Sequence, residues 1–130
     1  MNENISTLPS PADKIISTYL DYLINLFGTS LKGVYITGSI ALQDFIADKS
    51  DIDLSVYLEA MPNEPQHKQL HKFHKAIAHQ YPYPPLHIIF LTGEIIESMT
   101  PTLAWREGRW RKNPEAVNEV FLFELKSTAI

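Results

Sequence analysis

Apolar residues along the chain recur in two different periods, and the alternation of those periods predicts the elements. Ile15, Ile16, Tyr19, Leu20, Leu23, Ile24 and Phe27 follow one another at helical spacing, the mark of a helix with one buried face. Ser10-Pro11-Ala12-Asp13 reads as its start, with Ser10 as N-cap, Pro11 at the first helical position and an acid in the first turn, and Gly28 reads as its stop. Residues 33–37 form a short β-branched run between Gly33 and Gly38, which predicts a buried strand. A brief helix over 40–45 and a polar turn over 47–50 are expected next. From Asp51 to Leu58 every even position is apolar and the odd ones are Asp, Asp, Ser and Tyr. That strict period of two describes a strand with one face buried and one face open.

Pro62 and Asn63 interrupt the chain before a helix over 64–80 with Leu70, Phe73 and Ile77 as its core stripe. Tyr81-Pro82-Tyr83-Pro84-Pro85 cannot be helical and reads as a stiff extended loop. A third strand over 86–92, a short helix over 94–99, an irregular stretch containing Trp105 and Trp110, and a helical tail over 115–126 complete the reading. Helices and strands in this order predict an α/β (α+β) fold: a small mixed β-sheet with helices packed mainly on one face.

Composition narrows the picture. A chain of 130 residues is expected to form one domain over 1–130, and 45% apolar with 20% charged residues is a globular profile. The absence of cysteine excludes disulfide scaffolds, zinc ribbons and thiol catalysis. Acidic residues outnumber basic ones 15 to 11, for a net charge of −4. General nucleic-acid binding needs the opposite surplus and is not expected. No apolar run approaches the roughly 20 residues of a membrane helix. Met1-Asn2-Glu3-Asn4 has neither the basic start nor the apolar stretch of a signal peptide. The expected address is the cytoplasm, with no membrane partner.

The chemistry concentrates in Val34-Tyr35-Ile36-Thr37-Gly38-Ser39 and, after eleven intervening residues, Asp51-Ile52-Asp53-Leu54. A glycine where a strand gives way to a helix lets the backbone turn and lets a phosphate approach without a Cβ in the way. Ser39 would add a hydroxyl and free backbone N–H groups at a helix N-terminus, an anion site. Asp51 and Asp53, two apart on a strand, project their carboxylates from one face with Cα atoms roughly 7 Å apart. Carboxylates so placed can converge on divalent cations, and oxygen ligands beside a phosphate site favour Mg²⁺, with Mn²⁺ as the alternative.

Gly38-Ser39 followed by Asp51-x-Asp53, each attached to an apolar strand, resembles the signature of the polymerase-beta-like nucleotidyltransferases. The fuller text GSIALQDFIADKSDIDL is most similar to the N-terminal catalytic domain of aminoglycoside adenylyltransferases. The resemblance implies the fold of that superfamily and Mg²⁺-dependent transfer of AMP from ATP to a hydroxyl of a small acceptor, an aminoglycoside being one candidate. It implies that Gly38 and Ser39 hold the nucleotide's phosphates and that Asp51 and Asp53 hold the metal. It also implies a second, helical domain that this chain lacks, so that a second copy or a helical partner subunit is expected to complete it. Two other readings follow from the same resemblance. One is a minimal nucleotidyltransferase of toxin–antitoxin type acting on a partner protein, and the other is a non-catalytic nucleotide-binding module.

The family places a third carboxylate on the next core strand. Here the matching segment is Leu86-His87-Ile88-Ile89-Phe90-Leu91, and His87 stands at that position. An imidazole titrating near neutrality can act as base toward an acceptor hydroxyl, which makes His87 the third candidate catalytic residue. His67, His71 and His74 share a helix face and read as a solvated or half-buried boundary. Trp105-Arg106-Glu107-Gly108-Arg109-Trp110-Arg111-Lys112 holds all three arginines and both tryptophans. It reads first as a loop whose tryptophans cover the sheet edge, and second as a place to stack a base or meet phosphate charge. Tyr81 and Tyr83 are candidates to line an acceptor pocket.

Overall fold

The first helix, α1 (Ala12–Phe27), forms where the helical stripe predicts it and buries Ala12, Ile15, Ile16, Tyr19, Leu23 and Phe27. The computed structural model describes residues 10–37, 51–98 and 102–113. Gly38, Ser39, the brief helix and turn expected over 40–50, and the helical tail expected over 115–126 lie outside them. Two details of α1 correct the sequence reading. Pro11, with no side-chain acceptor, occupies the N-cap position in place of Ser10, and Asp13 Oδ1 instead accepts from the Lys14 N–H at 2.8 Å. Ile24 is 51% exposed, because it lies about 100° around the helix from Leu23 and off the line Tyr19–Leu23–Phe27.

Gly28 ends the helix with φ +56°, and a 3₁₀ turn (Gly28–Ser30) leads into β1 (Leu31–Thr37). There follow β2 (Ile52–Leu58), α2 (Glu64–Gln80), β3 (Leu86–Leu91), α3 (Gly93–Ser98), β4 (Thr102–Arg106) and β5 (Arg109–Asn113). The five strands lie in the order β1-β2-β3-β4-β5. Only β2 and β3 pair in parallel, with α2 as their crossover, and the other three pairs are antiparallel. The sheet is therefore mixed, as expected.

At the head of α2, Asn63 and Gln66 form a capping box: Asn63 Oδ1 accepts from the Gln66 N–H at 2.9 Å, and Gln66 Oε1 accepts from the Asn63 N–H at 3.0 Å. Asn63→Ala should lower the unfolding free energy by about 1 kcal/mol, the usual worth of such a cap. A urea melt showing no shift of midpoint would contradict this.

The stretch around Trp105 and Trp110, read as irregular, is instead the hairpin β4–β5. Its text is a mirror, Trp-Arg-Glu-Gly-Arg-Trp, about a two-residue turn in which Glu107 and Gly108 have φ +53° and +77°. Positive φ at both turn residues matches the twist of paired strands, and glycine takes it without steric cost. Trp105 and Trp110 are then directly paired, with ring centroids 5.3 Å apart. They extend the core and do not cover an edge from outside.

The period-two strands divide the molecule into two faces. Val34, Ile36, Ile52, Leu54, Val56, Leu58, Leu86, Ile88, Phe90 and Trp105 point toward α1 and α2 and form one buried cluster with them. His74 belongs to this core, which corrects its reading as a boundary residue. It sits beneath the hairpin, 4.7 Å from the Trp105 ring and 5.2 Å from that of Trp110, and its Nε2 shares a 2.8 Å hydrogen bond with the Tyr19 hydroxyl. His67 also packs on the hairpin, its ring 4.2 Å from that of Trp110, while His71 is exposed. Among the described residues, a small cluster forms on the opposite face, with Ile95 and Ile96 of α3 over Leu91, Ile89 and Tyr35. Ser55 of β2, on that same face, is buried as well.

Candidate active site

Alternation along β2 sends Leu54 and Val56 into the core and leaves Asp53 on the open face, with Asp51 just ahead of the strand. The parallel register then sets His87 of β3 directly beside Asp53, and the antiparallel register sets Thr37, the last residue of β1, on its other side. His87 Nδ1 lies 3.3 Å from Asp51 Oδ2 and 3.5 Å from Asp53 Oδ1. Three residues separated by up to 36 positions in sequence thus converge, one ring nitrogen facing two carboxylates.

The arrangement is graded in exposure. Asp51 and Asp53 side chains are 42% and 36% exposed, whereas that of His87 is 12% exposed. The carboxylates stay within reach of water, and the mostly buried ring has its orientation set by the oxygens that Nδ1 faces. An Nδ1–H directed at carboxylate oxygen leaves Nε2 as the nitrogen with a lone pair.

Among the described residues, no group of three or more His, Cys, Asp or Glu side chains is arranged to hold a metal ion. The chemistry of the donor set nevertheless suits one kind of ion. Two part-exposed carboxylates offer hard oxygen ligands, and Mg²⁺ is characteristically held by one or two carboxylates with waters and substrate phosphates completing its shell. The imidazole is a poor ligand for it. The residues fit Mg²⁺ shared with a bound substrate, and they do not form a closed protein cage.

Of the sequence-predicted site, then, Asp51, Asp53 and His87 are brought together, while Gly38 and Ser39 lie outside the described residues. In sequence they follow directly on Thr37, the residue paired with Asp53. Tyr81 is not brought to this face. It lines a cavity of about 60 Å³ on the helix side of the sheet, with Ile15, His74, Ile77 and Trp105. Tyr83 is 67% exposed. The histidines of α2 are likewise on the helix side. Where the arginines go was not legible until the hairpin was seen. Its mirror text about Glu107-Gly108 was the available signal, since a positive-φ pair flanked by alternating residues is how hairpins announce themselves.

A mixed sheet with α1 and α2 on one face, and α3 beside an open carboxylate pair on the other, defines an α/β domain. A family model described as nucleotidyltransferase domain matches residues 16–120, which takes in α1 from Ile16 onward, the whole sheet and all three converging residues. The chain belongs to this nucleotidyltransferase domain family, of the polymerase-beta-like superfamily. No curated protein matches the chain. Among the described residues, no helix is long and apolar enough to cross a membrane.

Proposed function

We propose that the chain is a Mg²⁺-dependent nucleotidyltransferase that moves AMP from ATP to a hydroxyl of a small acceptor, releasing pyrophosphate. The observation that carries this reading is the convergence of His87 Nδ1 on Asp51 and Asp53 at 3.3 and 3.5 Å. Family membership supplies the class of reaction. The adenylyl donor and the small acceptor rest on the resemblance of GSIALQDFIADKSDIDL to the aminoglycoside branch.

In this reading Asp51 and Asp53 hold Mg²⁺, which when bound neutralises phosphate charge and polarises the α-phosphorus. Gly38 and Ser39 receive the β- and γ-phosphates. The acceptor hydroxyl approaches from the β3 side, over His87. Its oxygen bonds to the α-phosphorus as the bond to the bridging oxygen of pyrophosphate breaks. His87 Nε2 takes the hydroxyl proton, while Nδ1, facing the carboxylates, keeps the ring oriented and stabilises the charge it gains.

Labelled ATP with Mg²⁺ and a panel of hydroxylated acceptors, aminoglycosides included, tests the transfer itself. His87→Gln should lower kcat roughly 100-fold, the lower range for loss of a positioned base, with little change in KM for ATP. His87→Glu should lose activity as well. A gain on placing glutamate there would remove the base role from His87 and mark the position as one that lacks its carboxylate.

A further inference from the structure

The register of the sheet continues past His87. Ile88 pairs with Trp105 and Ile89 with Ala104, so one further step along the same antiparallel register sets Arg106 across from His87. Arg106 in turn pairs with Arg109. Extended by that one step beyond the paired residues, the row Thr37, Asp53, His87 runs on to Arg106 and Arg109. Residues paired across a sheet share a face. The tryptophans next to the two arginines point to the helices, which leaves Arg106 and Arg109 on the open face with Asp53 and His87.

Both arginines are exposed, and among the described residues neither has an ion-pair or hydrogen-bond partner. The acid nearest to them in sequence, Glu107, is committed to Arg111, whose guanidinium it meets at 2.9 Å. Like charges directly opposite on paired strands repel, and a strand pair that places two arginines opposite each other on one face favours an anion between them. Two adjacent guanidinium groups suit phosphate, whose several oxygens accept from both forks.

We propose that Arg106 and Arg109 form an anion subsite on the acceptor side of the Asp51–Asp53–His87 cluster, so that the acceptor is a hydroxylated small molecule carrying a phosphate group. This rests on the transferase reading above and names its substrate class. The nucleotide's own phosphates belong, in that reading, to Gly38 and Ser39, which follow in sequence on Thr37, the β1 residue on the other flank of Asp53. Arg106 and Arg109 lie about 10 and 14 Å from Asp53 across the strands, beyond His87. A hydroxyl at His87 and an anion over the arginines are about 5–10 Å apart, the span of a phosphorylated sugar. A polycationic aminoglycoside meets repulsion at the same place.

The test compares ribose 5-phosphate with ribose by calorimetric titration into the full chain. Wild type should bind the phosphorylated sugar at least 10-fold more tightly. Arg106→Gln/Arg109→Gln should erase the difference, and Asp51→Asn/Asp53→Asn should keep it. Equal affinities for the two sugars, or a preference that survives in the arginine variant, overturns the subsite. In the transfer assay, the arginine variant should raise KM for phosphorylated acceptors at least 10-fold and leave KM for ATP unchanged. A rise in KM for ATP instead would put the arginines on the nucleotide and overturn the proposal, as would preferential transfer to an aminoglycoside. Failure of the transferase reading looks different: wild type binds ribose 5-phosphate through the arginines yet transfers no AMP to any acceptor. Urea melts of each variant guard against loss of fold.

Discussion

Asp51→Asn/Asp53→Asn is expected to abolish Mg²⁺-dependent AMP transfer, with kcat/KM falling at least 1,000-fold on the order-of-magnitude arithmetic of a metal's several kcal/mol at the transition state. The amides keep the shape of the side chains and remove the two charges that make the pair a cation site. Stability should not fall with activity, because both side chains are part-exposed, at 42% and 36%, and lie outside the apolar core. Relief of repulsion between neighbouring carboxylates acts in the same direction. The experiment is transfer of label from ATP, read beside ATP binding with and without Mg²⁺. The double variant should lose the Mg²⁺-dependent part of ATP binding. If it matched wild type with every acceptor, the enzymatic reading would be finished, whatever the family.

The second large effect is on folding. His74 is buried, and burial, with His71 and His67 on the same helix face adding to it, pushes its pKa down from 6.5 to about 3. Among the described residues, the groups packed around it are Tyr19, Phe90, Trp105, Trp110 and those two histidines, with no carboxylate among them. In the folded protein the ring therefore stays neutral well into acid, whereas in the unfolded chain it gains a proton below pH 6.5. The stabilisation is complete above pH 6.5 and is lost as the pH falls from there toward 3. Between pH 7 and pH 4.5 one such proton costs roughly 2–3 kcal/mol of unfolding free energy. That is a large share of the stability of a domain this size. Urea midpoints measured across that range should fall with pH. Tyr19→Phe/His74→Leu, which removes the hydrogen-bonded pair together and leaves no orphaned polar partner, should flatten the profile. An unchanged slope in the double variant would show that the acid sensitivity lies elsewhere.

The legible part of this protein was whatever is written in local periodicity. The stripe from Ile15 to Phe27 is α1, and the alternation from Asp51 to Leu58 is β2, its apolar half buried as expected, although Ser55 on the other face is buried too. Position 87 could be singled out because the resemblance places a third carboxylate on that strand, and the parallel register sets His87 beside Asp53. The errors fell where context and not pattern decides. Ile24 is apolar and exposed because the buried line on α1 is narrower than its stripe. His74 is polar and buried because Tyr19 from another helix meets its ring nitrogen. The hairpin was missed because Glu-Gly is a weaker turn signal than Asn-Gly or Asp-Gly, and because tryptophans and arginines alternating over so few residues carry no strong period.

By itself, then, the sequence determined that a carboxylate pair stands on the open side of a strand, since a side-chain period of two leaves an alternating segment no other way to bury its apolar half. Through the resemblance those residues carry, it also pointed to the nucleotidyltransferase family. Only the tertiary structure decided what stands next to that pair. Register, a property of paired strands and not of any one of them, set His87 at one side of Asp53 and carried the row outward to Arg106 and Arg109.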